Sequence, residues 1–85
     1  MNATPEITLY GNSWCGSSRR ARQFFDKHRI SYRWVDIEKD EKAAQYVESL
    51  NQGYRSVPTI VWPDGSILVE PTIEALAGKL GVKPD

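Results

Sequence analysis

The sequence predicts an α/β fold in which a four-stranded mixed sheet carries helices on both faces. Three observations predict it. Apolar positions switch from strand to helix spacing and back within residues 7–37, a turn signal separates two short apolar runs in the second half, and a capped amphipathic stretch follows. A strand, a helix and a strand in that order form a right-handed crossover with parallel strands, whereas a hairpin adds antiparallel neighbours.

The first half of the chain alternates between strands and a helix. Ile7–Tyr10 is a short apolar run that a Gly-Asn-Ser segment ends, so it predicts the first strand. Helix spacing begins at Gly16, and aromatic and β-branched residues over Tyr32–Ile37 then predict the second strand. The predicted apolar stripe of the first helix consists of Ala21, Phe24, Phe25 and His28.

A second helix and a hairpin follow. Asp40 is a good N-cap for this helix, and Gly53 is a typical stop signal after it. The hairpin joins Thr59–Trp62 to Ile67–Val69 through an Asp-Gly turn. The predicted apolar stripe of the second helix consists of Ala43, Tyr46, Val47 and Leu50.

The last predicted element is a helix that Thr72 caps and that Gly81 and Pro84 end. Its predicted apolar stripe consists of Ile73, Leu76, Ala77 and Leu80. The resulting order of βαβ unit, helix, hairpin and helix is a thioredoxin-like architecture. Because no repeat, low-complexity tract or linker divides the sequence, residues 1–85 are expected to form a single domain.

The composition argues against several classes of protein. Eleven basic and 11 acidic residues give zero net charge, so the domain as a whole is not basic although bases crowd the first helix. One cysteine excludes an internal disulfide, which is typical of a reducing compartment. No apolar run reaches the ~20 residues that a bilayer needs, and no signal pattern begins the chain. We therefore expect a cytoplasmic monomer without nucleic-acid or membrane partners.

The single cysteine, Cys15, stands where the first strand's loop meets the first helix. The unpaired amides of Gly16, Ser17 and Ser18 and the helix dipole favour a thiolate there, and two arginines after Ser18 would add to the effect. Helix N-termini lower a cysteine pKa from about 8.5 into a range of roughly 3.5 to 7.5, which predicts a nucleophile near neutral pH. The alternative is an inert packed thiol. The polar residues on both sides of Cys15 are poor material for a core and favour the nucleophile.

These residues carry a resemblance to a known family. Trp14-Cys15-Gly16-Ser17-Ser18 resembles the active-site segment of the glutaredoxins, and the chain is most similar to their actinobacterial, mycothiol-dependent mycoredoxin branch. The resemblance implies a thiol–disulfide oxidoreductase that reduces mixed disulfides between proteins and a low-molecular-weight thiol of the mycothiol or glutathione type, with no bound cofactor. Further similar segments are Val35-Asp36-Ile37-Glu38, Arg55-Ser56-Val57-Pro58-Thr59 and Pro63-Asp64-Gly65-Ser66.

Ser18 restricts the mechanism that the resemblance implies. It takes the place of the second cysteine of dithiol members and lies one helical turn from Cys15, where a resolving thiol would attack. A hydroxyl cannot form that disulfide, so the monothiol route remains, in which Cys15 takes up the small thiol and a second thiol molecule releases it. Ser18 is further expected to donate a hydrogen bond to the thiolate. A natural serine and a replaced cysteine would both give this sequence.

The resemblance also implies the ligand-binding segments. In the family the Val-Pro peptide is cis, so Val57 and Pro58 would face the bound thiol; the alternative is a proline that merely starts an edge strand. Arg55 is a candidate for an anionic or polar ligand end, and Thr72 either meets a carboxylate or only caps its helix. Asn and Ser replace the basic residue that glutathione-binding members carry shortly before the nucleophile. The predicted substrate-binding residues are Trp14, Gly16, Ser17, Gln52, Arg55, Val57, Pro58 and Thr72.

Two other functions stay open. Cys-Gly-x-Ser also resembles the monothiol glutaredoxins in which two chains share an iron–sulfur cluster, although the lysine that precedes their cysteine is missing here; such a carrier would colour and dimerise on reconstitution. A redox-inert binding module would instead show a Cys15 pKa near 8.5. The one histidine, His28, lies about 20 Å along the helix from Cys15, so neither a catalytic base nor a zinc site is predicted.

Overall fold

The computed structural model describes residues 6–84 and places four strands in one sheet with the order β2-β1-β3-β4. The central strand β1 pairs parallel with β2 and antiparallel with β3, and β3 pairs antiparallel with β4. None of the helices in the described residues is long and apolar enough to cross a bilayer. The elements are β1 Ile7–Gly11, α1 Gly16–Lys27, β2 Tyr32–Asp36, α2 Glu41–Leu50, β3 Thr59–Val61, β4 Ile67–Val69 and α3 Ile73–Leu80.

The helices cover both faces of the sheet, as the crossover rule and the hairpin predicted. Helices α1 and α3 lie on one face, over side chains such as Leu9 and Ile60 that register as neighbours on β1 and β3. Helix α2 lies on the other face. The larger core contains Ile7, Leu9, Ala21, Phe24, Phe25, Ile60, Trp62, Leu76 and Ala77, and the smaller contains Ile37, Ala44 and Val47.

Two details of the predicted stripes are wrong. Tyr46 is 44% exposed and stacks at the surface on Tyr10, with ring centroids 5.6 Å apart, while Ala44 is fully buried in its place. The helix therefore faces the sheet along Ala44 and Val47. His28 is not a helical residue but the C-cap of α1, half-buried with its ring centroid 4.4 Å from that of Phe24.

The helix boundaries follow the predicted cap residues. Asp40 accepts a hydrogen bond from the amide of Ala43, and Thr72 accepts one from the amide of Ala75. Gly81 ends α3 with a left-handed φ of 72°, a conformation that glycine adopts without steric cost. Because β1 points its carboxyl end toward the start of α1, the loop between them lies at the sheet edge where open α/β folds place their sites.

Candidate active site

Cys15 occupies the N-cap position of α1, directly after the loop that follows β1. Its backbone is extended, with φ −79° and ψ 124°, and its amide donates to the carbonyl of Asn12 at 3.3 Å. The side chain is half-buried and makes no formal capping hydrogen bond. The N–H groups in the first turn of α1 therefore have no acceptor oxygen from the side chain of the N-cap residue. They face the Cys15 sulfur instead.

Those amides act on the ionisation of the thiol. The backbone N–H of Ser18 is the main cause of a Cys15 pKa below its ordinary value, and the Ser18 hydroxyl and the Ser17 amide add to it. Partial burial and the carboxylate of Glu70 oppose the shift. The charged residue that acts on the sulfur is therefore an acid, whereas the sequence suggested the arginines after Ser18. A lowered pKa increases the thiolate fraction at a given pH, and the thiolate is the nucleophilic form of cysteine.

Ser18 is completely buried behind Cys15. Its Oγ accepts a hydrogen bond from the Asn12 amide at 3.3 Å, which leaves the hydroxyl proton to be donated toward the sulfur. Gly11 makes this packing possible, since a Cβ there would lie 2.5 Å from Ser18 Oγ and 3.0 Å from the Trp34 ring. The side chain at the resolving position is consequently held by its neighbours and is inaccessible from solvent.

The loop before β3 contributes the second part of the site. The Val57–Pro58 peptide is cis, as the resemblance implied, and Pro58 is fully buried. The Pro58 carbonyl accepts from the amide of Glu70 at 2.8 Å, and Thr59 Oγ1 donates to the Ser56 carbonyl at 2.7 Å. Within residues 6–84, neither the N–H nor the C=O of Val57 pairs with another backbone group. Both therefore remain available for a ligand.

A cleft of about 360 Å³, here called the Arg55 cleft, opens between the β1–α1 loop and α2. Arg55 does not face it as an unpaired cation, because its guanidinium bonds Glu41 at 2.8 Å and also pairs with Glu48. Trp14, 67% exposed, donates its indole N–H to Glu38 at 2.8 Å and so stands near the cleft. The residues that line the cleft are Asn12, Ile37, Glu38, Glu41 and Arg55.

A second cleft of about 220 Å³, here called the Glu70 cleft, opens between the first turns of α1 and α3. Ser17 and Thr72 are the predicted site residues that line it. The Thr72 oxygen is engaged in capping Ala75, at 3.0 Å. Gln52 lies outside both clefts, exposed in the turn after α2 with φ 54°. The full lining of the Glu70 cleft is Ser17, Arg20, Ala21, Glu70, Pro71, Thr72, Ile73 and Leu76.

Sequence reasoning missed three residues of this region. Glu70 and Glu38 belong to this region because they interact with residues that are distant in the sequence. The residues adjacent to them in the sequence do not indicate those interactions. Gly11 carried a usable signal, because a glycine that closes an apolar strand often marks a close approach of another group. Glu41 and Glu48, the partners of Arg55, are seven residues apart and share one face of α2, but their spacing does not show that Arg55 reaches them.

A thioredoxin-like fold with an ionisable cysteine at the start of its first helix, and a cis proline before β3, defines a protein of the thiol–disulfide exchange class. Comparison with known proteins narrows the class. The family model described as glutaredoxin matches residues 7–67, and this chain belongs to the glutaredoxin family. Thiol–disulfide oxidoreductase activity is what that membership supports.

Individual relatives agree with the assignment. A Mycobacterium tuberculosis protein named as a glutaredoxin, Rv3198A, is 42% identical over 77 residues, which cover 91% of this chain and 92% of the relative. Mycoredoxin 1 of Corynebacterium glutamicum is 31% identical over 74 residues, covering 87% and 91%. These relatives confirm the predicted resemblance to the mycoredoxins.

Solved structures confirm the thioredoxin-like fold. The thioredoxin-like protein BC3987 superposes with a TM-score of 0.75 at 26% identity, covering 86% of this chain and 97% of that one. The glutaredoxin of Archaeoglobus fulgidus superposes with a TM-score of 0.76 at 24% identity, covering 92% and 88%.

Proposed function

We propose that this glutaredoxin-family protein reduces mixed disulfides between proteins and a low-molecular-weight thiol by a monothiol route through Cys15. The observation that carries the proposal is the half-buried Cys15 thiol with a lowered pKa at the start of α1 in a chain that holds no other cysteine. The fully buried Ser18 occupies the position of a resolving thiol and cannot supply a second sulfur.

The proposed exchange proceeds in two steps. The Cys15 thiolate attacks the small-thiol sulfur of a mixed disulfide, so that one S–S bond forms as another breaks and the protein substrate leaves as a thiolate that takes a proton from water. A second small thiol, as its thiolate, then attacks the small-thiol sulfur bound to Cys15. This step releases the small-thiol disulfide and restores the Cys15 thiolate. The net reductant is the second small thiol, which leaves in a disulfide with the small thiol taken from the substrate.

The backbone of Val57 is proposed to hold the peptide-like part of the small thiol. Its N–H and C=O have no backbone partner within residues 6–84, and paired main-chain groups of this kind recognise an extended ligand as a neighbouring strand would. Trp14 and the two clefts would then accommodate the remainder of the ligand. Ser17, Gly16 and the α1 amides lie where the sulfur is exchanged.

The Arg55 cleft favours a mycothiol-type co-substrate over glutathione. The basic residue expected before the nucleophile is replaced by Asn12, which is buried, and Arg55 is already neutralised by two carboxylates. An anionic ligand end thus finds no unpaired cation in this cleft. The 31% identity to a protein named mycoredoxin 1 supports the same choice. Such a cycle requires a compartment that keeps small thiols reduced, which favours the cytoplasm.

Intact-mass measurement tests the proposal. The reduced protein is exposed to the oxidised forms of mycothiol, glutathione and cysteine, and one adduct per chain is expected, removed by the reduced thiol. The matched variant is Ser18→Cys, in which an internal disulfide should replace the adduct. Absence of any adduct would contradict the oxidoreductase assignment. An adduct that the reduced thiol cannot remove would contradict the monothiol cycle.

A further inference from the structure

Glu70 lies at the corner between β4 and α3, tied to the cis-proline loop by its backbone. Its amide donates to the Pro58 carbonyl at 2.8 Å, while its side chain is exposed. The residue is thus tied to that loop by its main chain and lines the Glu70 cleft, which also reaches Ser17 in the first turn after Cys15.

The carboxylate of Glu70 has no counter-ion within residues 6–84. Arg20 lines the same cleft, but its guanidinium donates to Ser17 Oγ at 3.1 Å and forms no ion pair with Glu70. A Cβ on Gly16 would lie 3.5 Å from an Arg20 guanidinium nitrogen, so this cation rests against the start of α1. Arg20 keeps its positive charge at the α1 wall of the cleft and Glu70 keeps its negative charge at the other wall, because the two do not form an ion pair within residues 6–84.

Two further observations single out Glu70. The negative charge of Glu70 acts on the Cys15 sulfur, because it raises the pKa of the thiol whereas the α1 amides lower that pKa. Its φ of 48° lies in the left-handed region, where a side chain is unfavourable and glycine would fit without cost. A charged side chain that acts on the Cys15 sulfur thus stands in a backbone conformation that opposes it, and such outliers cluster at functional sites.

We propose that Glu70 is a specificity-determining residue that selects disulfides by charge, favouring neutral or cationic thiols over anionic ones at Cys15. The inference rests on the exchange proposed above. In each exchange the attacking Sγ forms an S–S bond while the leaving thiolate departs and is protonated by water. A carboxylate on a leaving group that enters the Glu70 cleft would be repelled by Glu70, whereas an ammonium group would be attracted.

Three small disulfides of different charge test this selection. Second-order rate constants of Cys15 are measured with cystamine, which is cationic, with bis(2-hydroxyethyl) disulfide, which is neutral, and with 3,3′-dithiodipropionate, which is anionic. For each variant, the rate constant with cystamine is divided by the rate constant with 3,3′-dithiodipropionate. This ratio is then divided by the same ratio measured for free cysteine, and the results are compared among the variants. Because both probes meet the same thiolate fraction, the ratio does not depend on the Cys15 pKa.

The wild-type ratio is expected to fall roughly two- to five-fold in Glu70→Gln, with the neutral probe least affected. Glu74→Gln, an exposed acid in the first turn of α3 that does not line the cleft, is the matched control and should keep the wild-type ratio. Glu70→Gly should show the same fall and also unfold at higher temperature. An unchanged ratio in both Glu70 variants would overturn the proposal, whereas failure of Cys15 to react with all three probes would overturn the proposed function itself.

Discussion

The three helices within residues 6–84 begin in two different ways. Helices α2 and α3 start at Asp40 and Thr72, whose side chains accept hydrogen bonds from first-turn amides. Helix α1 starts at Cys15, which makes no such bond. The two capped starts satisfy the helix ends and stabilise the domain, while the third leaves its amides to stabilise a thiolate. The difference shows that the helix start without a side-chain cap is the one where the first-turn amides lower the pKa of a thiol.

Replacing the sulfur with a capping group is expected to have the largest effect. Cys15→Asp should abolish disulfide exchange and, because a carboxylate can accept from the α1 amides, raise the free energy of unfolding by about 1 kcal/mol relative to Cys15→Ala. Urea denaturation and mass analysis measure the two effects. Equal stabilities of the two variants would show that the start of α1 cannot use a capping oxygen.

Gly11 packs against Ser18, which is buried behind the start of α1 that has no side-chain cap. Gly11→Ala would place its Cβ against Ser18 Oγ and the Trp34 ring, so we expect a loss of about 1–3 kcal/mol in the free energy of unfolding. Gly78→Ala is the matched control, since this helical glycine has open space around it. That control should gain about 0.5–1 kcal/mol. A Gly11→Ala protein as stable as wild type would contradict the close packing.

Loss of the side-chain cap at the start of α2 is expected to affect stability alone. Asp40→Ala should lower the free energy of unfolding by about 1 kcal/mol because the Ala43 amide loses its acceptor. Its rate of reaction with a small disulfide should stay within two-fold of wild type. A parallel loss of stability and Cys15 reactivity would remove the distinction between the two kinds of helix start.

The smallest expected change is a shift of the pH profile. Ser18→Ala removes the hydroxyl that helps hold the thiolate, so the pKa of Cys15 should rise and the rate should reach half its maximum at higher pH. Because the folded-state pKa is lowered, the stability this thiolate contributes is present above the unfolded pKa and is lost as pH falls through the folded pKa. The ultraviolet absorbance of the thiolate, followed against pH, gives the Cys15 pKa in the wild type and in Ser18→Ala.

Ser17→Ala is the control for that measurement. Ser17 acts on the sulfur through its backbone amide, which alanine keeps, so the pKa of Cys15 should not change. An equal shift in both variants would assign the effect to disturbance of the α1 start rather than to the Ser18 hydroxyl.

Local signals were sufficient to predict most of the fold. The caps at Asp40 and Thr72, the turn before β4 and the glycine after α3 each depend on a few adjacent residues, and the structure confirms them. The position of Tyr46 was predicted wrongly because helical spacing alone does not say which edge of a short apolar stripe the sheet covers. That choice depends on how α2 packs against Ile37 and the residues around it.

The candidate site was only partly predictable for the same reason. Cys15 and its helix start could be read from adjacent residues, but the influence of Glu70 on the sulfur depends on a contact between segments more than 50 residues apart in the sequence. The pairing of Arg55 with two glutamates likewise depends on how the loop after α2 folds back on that helix.

The two clefts are built from different parts of the chain. The Arg55 cleft lies between the β1–α1 loop and α2, and the Glu70 cleft lies between α1 and α3, so the helices on opposite faces of the sheet each supply one of them. A substitution on α2 can therefore alter one without moving the other. Under the proposed function, such a substitution would change how one part of the small thiol is held and leave the other part in place.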